Sequence, residues 1–140
     1  KRLLESQKMT EQEAECIRIW DIRRFVESGL GQRMKKAAMK KHLYREQPFV
    51  IQRSASMLDD GWKNETVLVQ GIIDAYFMEE EEIVLVDYKT DRVKRGQEQK
   101  LIDLYHVQLE DYARALERMT GKRVKEKIIY SFTLQKEILL

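Results

Sequence analysis

The sequence predicts a single α/β domain built on a mixed β-sheet. Three observations carry that expectation: a helical apolar period up to about residue 45, a switch to strand-like runs beyond Pro48, and a long helical stretch followed by one more apolar run. The chain has 140 residues, of which 43% are hydrophobic and gathered into periodic runs, so it has enough apolar material for one core and is not a disordered chain. One domain over 1–140 is therefore expected, with a helical N-terminal part over 1–45 and an α/β core over 46–140.

The elements follow in order. Thr10-Glu11-Gln12-Glu13 fits a capping box ahead of Ile17, Ile19 and Trp20, and Ile22, Phe25, Val26 and Leu30 extend the apolar face at three- and four-residue spacing. Gly29 and Gly31 mark a break, and a short second helix runs through Met34, Ala37 and Ala38. Phe49-Val50-Ile51 reads as a first strand and Asp59-Asp60-Gly61 as a turn. Residues Thr66 to Met78 and Ile83 to Thr90 then form a hairpin, whose tip is kept soluble by the carboxylates of Glu79 to Glu82. Ile73, Ala75 and Phe77 alternate with Ile72, Tyr76 and Met78, which predicts a sheet covered on both faces. A helix over about 97–119, closed by Gly121, gathers Ile102, Tyr105, Leu109, Tyr112, Ala113 and Leu116 on one face and Asp103, Glu110, Asp111 and Arg114 on the other. Val124 to Leu134 reads as the last strand.

Composition excludes several classes. Cys16 is the only cysteine, so an internal disulfide, a four-cysteine zinc site and an iron–sulfur cluster are all ruled out, and a reducing compartment is expected. No apolar run is long enough to cross a membrane as a helix, so no membrane partner is expected. The first residue is Lys1 and not Met, which reads as a fragment of a larger chain. The 26 basic and 24 acidic residues leave a net charge of +2, too little for tight autonomous binding to a polyanion.

The chemistry concentrates in the hairpin. With its turn centred between Glu80 and Glu81, Asp74 and Asp87 face each other across the ladder, where Cβ atoms stand about 5 Å apart and like charges destabilise. Something positive is expected between them. Lys89, two residues beyond Asp87, lies on the same face. Two carboxylates beside an ammonium suit Mg²⁺, a hard cation that completes its shell with water and phosphate oxygens, and the reaction class implied is metal-assisted phosphodiester hydrolysis. The structural alternative is a lysine that merely bridges two aspartates, and a one-residue slip of register would separate all three groups.

Gly71-Ile72-Ile73-Asp74, the twelve-residue spacer and Asp87-Tyr88-Lys89-Thr90-Asp91, followed by Gln108 and Tyr112, resemble the motifs of the RecB-type branch of the PD-(D/E)xK nuclease superfamily. Ser28-Gly29-Leu30-Gly31-Gln32-Arg33-Met34, Arg45-Glu46-Gln47-Pro48-Phe49 and Tyr130-Ser131-Phe132 extend the resemblance to nuclease domains of AddAB-type helicase–nucleases. The resemblance implies a restriction-endonuclease-like three-layer core, a mixed sheet of four or five strands flanked by helices. It implies Asp74, Asp87, Lys89, Gln108 and Tyr112 as catalytic residues, with Asp74, Asp87 and the carbonyl of Tyr88 as ligands of Mg²⁺, for which Mn²⁺ can substitute. Glu46 matches an acidic position with a supporting role. The family's upstream metal-binding His, within a Gly-x-x-x-His element, has no counterpart here, since His42 and His106 stand in other contexts; an isolated fragment is then expected to be weakly active or inactive.

Arg92, Lys94, Arg95 and Lys100 follow the catalytic strand and are expected to contact DNA phosphates, whereas the six basic residues between Arg33 and Arg45 suit a solvated face equally well. Trp20 and Trp62 read as packing residues. The leading expectation is a Mg²⁺-dependent DNA exonuclease domain of a bacterial helicase–nuclease that processes double-strand breaks for homologous recombination. It would act in the cytoplasm at the nucleoid, on single strands from unwound duplex, with a B-type helicase–nuclease subunit as its heterodimer partner. Because no Gly-x-x-x-x-Gly-Lys-Ser/Thr loop is present, ATP is used only by the helicase part. The alternatives are a free-standing RecB-like nuclease and a silent DNA-binding or subunit-docking module.

Overall fold

The computed structural model of the 140-residue chain describes residues 20–54 and 66–140. The capping box at Thr10, Cys16, the turn at Asp59 to Gly61 and Trp62 lie outside the described residues. Two helices open the described chain, α1 (Ile22–Glu27) and α2 (Gly29–Met39). The break falls at Ser28, one residue before the glycines: its backbone is extended and its hydroxyl accepts from the Gly31 amide at 3.0 Å. Gly31 serves packing instead, since a Cβ there would lie 2.0 Å from the carbonyl oxygen of Phe25. Trp20, expected to pack, is 65% exposed.

Five strands follow in the spatial order β1-β2-β3-β4-β5: β1 (Leu43–Ser54), β2 (Thr66–Glu79), β3 (Glu82–Lys89), β4 (Val124–Ser131) and β5 (Lys136–Leu139). Only β3 and β4 pair in parallel, and α3 (Glu98–Thr120) provides the crossover between them. β1 begins six residues earlier than the Phe49 start that its sequence suggested, and runs through Pro48. It is the edge strand, where a missing N–H costs no ladder bond. Val124 to Leu134 is not one strand; the chain turns after Ser131 and Phe132, with Gln135 in the left-handed region, and β5 returns antiparallel to β4.

Two apolar layers sandwich the sheet. On one face Leu30, Met34 and Ala37 of α2 meet Ala75, Phe77, Val84, Val86 and Tyr130; on the other, Leu101, Leu109 and Leu116 of α3 meet Phe49, Ile73, Leu85 and Ile129. Each such side chain contributes roughly 1.5–3 kcal/mol on burial, which commits the helices to opposite faces. The helix–sheet–helix layering is the expected α/β architecture. Gly121, at φ +71°, closes α3 with its amide on the Glu117 carbonyl. One residue of α3 departs from the amphipathic pattern: Asp111, placed on the solvent face by the helical period, is 5% exposed and sits beside the Arg114 guanidinium at 3.5 Å.

The alternation of faces does not run unbroken along β2. In a regular strand residues 73 and 75 share a face, yet Ile73 belongs to the α3 layer and Ala75 to the α2 layer. The same switch occurs in β1, where Leu43 packs on the α2 side but Phe49 and Ile51 on the α3 side. Both reversals bracket one row of the sheet. The pairs Arg45↔Ala75 and Gln47↔Ile73 enclose Glu46 and Asp74, and Glu46 itself adopts φ +50°. Ile72 is consequently exposed and not covered as its apolar neighbours suggested.

Candidate active site

The hairpin register is the one that the acidic turn predicts. Ala75↔Val86 through Glu79↔Glu82 pair regularly around Glu80 and Glu81, both at positive φ (51° and 66°), the handedness of a two-residue turn that suits twisted strands. The regular pairing stops one step short of Asp74 and Asp87. There the Asp74 side chain takes over from the ladder: its Oδ2 accepts the Tyr88 amide at 2.8 Å. Asp87 and Lys89 continue the α3-facing side of β3 from Ile83 and Leu85, so the two aspartates and the lysine meet at the carboxyl end of the strand, beneath α3.

Asp87 is 3% exposed and Lys89 8% exposed. The Lys89 ammonium forms an ion pair with Asp87 Oδ2 at 2.9 Å, and this buried oxygen has no other donor among the described residues. Burial first, and the neighbouring Asp74 carboxylate second, push Asp87 up to about 7; Lys89 offsets this only in part. Two carboxylates therefore crowd one another at this end of the strand.

Helix α3 supplies the remainder. Gln108 Oε1 accepts from Lys89 Nζ at 3.2 Å, so the amide holds the lysine. Tyr112 packs its ring edge-on to Phe49, with centroids 5.0 Å apart. Arg92, Lys94, Arg95 and Lys100 are exposed on the segment after β3 and the first turn of α3, next to this end of the strand. Glu46 is exposed in the row of Asp74 on β1. Of the basic residues nearer the N-terminus, Arg33 is taken up by Glu79 and Glu126 and is no phosphate ligand.

Two residues were not singled out from sequence. Tyr105 lays its ring over the Lys89 ammonium, 4.0 Å from centroid to Nζ, and its hydroxyl donates to Asp91 Oδ2 at 2.7 Å. Their signal was present: Asp91 lies two residues beyond Lys89, and Tyr105 one turn before Gln108 on the same helix. A cavity of about 790 Å³ opens elsewhere, at the hairpin tip, lined by Lys40, His42, Tyr44, Tyr76, Glu80 and Thr120; neither aspartate contributes to it.

The family model of the PD-(D/E)XK nuclease superfamily matches residues 2–138. The chain belongs to the PD-(D/E)XK nuclease superfamily. It is also 38% identical over 143 residues to the A-type ATP-dependent helicase/nuclease subunit of Clostridium perfringens, an alignment with 98% of this chain and 11% of that protein. The subunits of the same type from Thermoanaerobacter pseudethanolicus and Acetivibrio thermocellus are 42% and 46% identical, over 94% and 89% of this chain and 11% and 10% of their own lengths. The chain thus spans about a tenth of the relatives it matches.

Nucleases of this superfamily generally use divalent metal ions. The residues here fit such an ion. Asp87 Oδ2 is buried with the Lys89 ammonium beside it, and a cation there would offset the burial and the Asp74 repulsion that raise its carboxyl. Among the described residues no group of three or more His, Cys, Asp or Glu side chains is arranged as a metal cage, so backbone oxygen, water or substrate would complete the shell. No described helix is long and apolar enough to cross a membrane.

Proposed function

We propose that this chain is the DNA-cleaving domain of an ATP-dependent helicase–nuclease, hydrolysing phosphodiester bonds of single strands released from unwound duplex ends during recombinational repair of double-strand breaks. The carrying observation is the crowding of two carboxylates at the end of β3, where burial and the neighbouring Asp74 raise Asp87 although the Lys89 ammonium stands 2.9 Å away. Asp74, Asp87 and the Tyr88 carbonyl are the ligands we assign to Mg²⁺. The bound ion supplies Lewis acidity to the scissile phosphodiester.

The protein's own groups do the rest. Lys89 presents its ammonium at the position where negative charge accumulates on the phosphoryl oxygens, and orients the attacking water. Gln108, through its 3.2 Å hydrogen bond, shares that ammonium with Asp87 and fixes its direction from the α3 side. Tyr112 fixes α3 against β1 through Phe49 and so holds Gln108 in place. Arg92, Lys94, Arg95 and Lys100 hold the backbone of the incoming strand by phosphate contacts, which carry no base preference. Glu46, in the row of Asp74, supports the metal side of the site. The motor and a B-type partner lie on other polypeptide segments, and the near-neutral charge of this domain suits a nuclease to which DNA is delivered.

The test is Mg²⁺-dependent digestion of single-stranded DNA by the full-length protein, wild type against Asp87→Ala. Loss of cleavage by a thousandfold or so is expected. Equal cleavage by the two would refute the assignment.

A further inference from the structure

We propose that Tyr105 is a positioning residue for the catalytic lysine: its ring face completes a three-sided seat for the Lys89 ammonium, and its hydroxyl ties that seat to Asp91 on the segment that carries the basic residues. The inference rests on the assignment of Lys89 to the nuclease site and adds to it the group that decides where the ammonium points.

An ammonium has three N–H donors and a flexible four-carbon stem, so a single partner does not fix it. Here it has three neighbours on three sides. Asp87 Oδ2 stands 2.9 Å away, Gln108 Oε1 3.2 Å away, and the Tyr105 ring centroid 4.0 Å away. The first contact draws the ammonium toward the metal ligands. The second and third draw it toward α3, and a ring face attracts a desolvated cation more strongly than an exposed one. Without the ring, the side of the ammonium away from Asp87 and Gln108 would open to water, and Lys89 would be held by those two contacts alone. The ring also resists substitution by water, because it fills the apolar side of a seat in which Lys89 is 8% exposed.

The hydroxyl acts in a second way. Its 2.7 Å bond to Asp91 fixes the ring plane and links α3 to the chain two residues past Lys89. Asp91 directly precedes Arg92, Lys94 and Arg95, so the same bond fixes the start of the segment proposed to hold DNA. Seating the lysine and seating the strand thereby share one side chain.

The experiment compares wild type, Tyr105→Phe and Tyr105→Leu in the full-length protein by two readouts. Amine acylation with an N-hydroxysuccinimide ester, followed by peptide mapping, reads the accessibility of Lys89, with exposed Lys94 and Lys100 as internal standards. Lys89 should label slowly in wild type and in Tyr105→Phe, and at least fivefold faster in Tyr105→Leu, the standards staying constant. Single-strand cleavage should show kcat lowered about tenfold in Tyr105→Leu with KM little changed, and lowered no more than threefold in Tyr105→Phe. Unchanged Lys89 labelling in Tyr105→Leu overturns the proposal, and so does an equal loss of kcat in the Phe and Leu variants. Asp87→Ala is run alongside. If it still cleaves, the nuclease assignment of the site has failed and the seat with it; if it is dead while Tyr105→Leu behaves as wild type, only the seat has failed.

Discussion

The two ends of the β2–β3 hairpin hold charge clusters of opposite design. At the tip, Arg33 makes two bonds to Glu79 (2.9 and 2.8 Å) and two to Glu126 (3.2 and 3.0 Å), while Lys125 meets Glu79 at 3.1 Å. Two cations meet two anions. The guanidinium hydrogen bonds outweigh burial and lower Glu79 to about 2. At the other end, burial and the neighbouring Asp74 raise Asp87 to about 7, and Lys89 offsets this only in part. A cluster that lowers its carboxylates adds to stability, whereas one deficient in that compensation forgoes stability at neutral pH. The carboxylate shifts at the two ends run in opposite directions.

The contrast breaks most visibly at Asp74. Asp74→Asn should abolish single-strand cleavage, by about a thousandfold or more, because it removes a proposed metal ligand while keeping an acceptor for the Tyr88 amide. The same change should stabilise the protein. A raised carboxyl contributes stability below its unfolded value near 4 and loses it as pH climbs through about 7. Removing the neighbouring charge relieves that loss, so the gain should be negligible at pH 4 and reach about 1 kcal/mol at pH 8, as read by urea denaturation at both pH values. A loss of stability at pH 8 would contradict the reading of a deficient cluster.

Arg33→Met should do the reverse at the tip. It strands Glu79 and Glu126 together, so stability should fall by about 2 kcal/mol at pH 7, roughly 6 °C in Tm. A lowered carboxyl contributes stability above its unfolded value near 4.5, and that contribution disappears as pH falls toward 2. The deficit of the variant should therefore shrink across that window, while kcat, measured well below the variant's Tm, stays at the wild-type value. A changed kcat would mean that the two ends are coupled. The smallest effect is expected for Gln108→Leu, which removes one neutral acceptor from Lys89: about a tenfold drop in kcat, with Tm within a degree or two of wild type. A drop as large as that of Asp87→Ala would instead put Gln108 in contact with the reacting atoms.

Much of the fold was legible because its signals are local. Period, Pro48, the acidic turn and Gly121 located the hairpin and α3. What escaped was less local. β5 is four residues long, two charged followed by two apolar, too short for a periodic signal, and it exists because β4 offers it an edge. The N-terminal half of β1 is polar and contains Glu46 and Pro48, yet pairing to β2 draws it into the sheet. Asp111 was assigned to solvent by the helical period, which does not show what packs over the polar face.

The same division holds at the candidate site. The sequence by itself pointed to the hairpin register, given a two-residue turn centred between Glu80 and Glu81, and the pairing from Ala75↔Val86 to Glu79↔Glu82 follows it. It also put Lys89 on the face of Asp87. Only the tertiary structure decided the surroundings of that end of the hairpin. The burial that raises Asp87, the Gln108 amide and the Tyr105 ring on Lys89 all come from α3, which packs across the sheet from residues distant in the chain. Pairing is set by neighbours in sequence, but desolvation is set by whatever the chain folds over them.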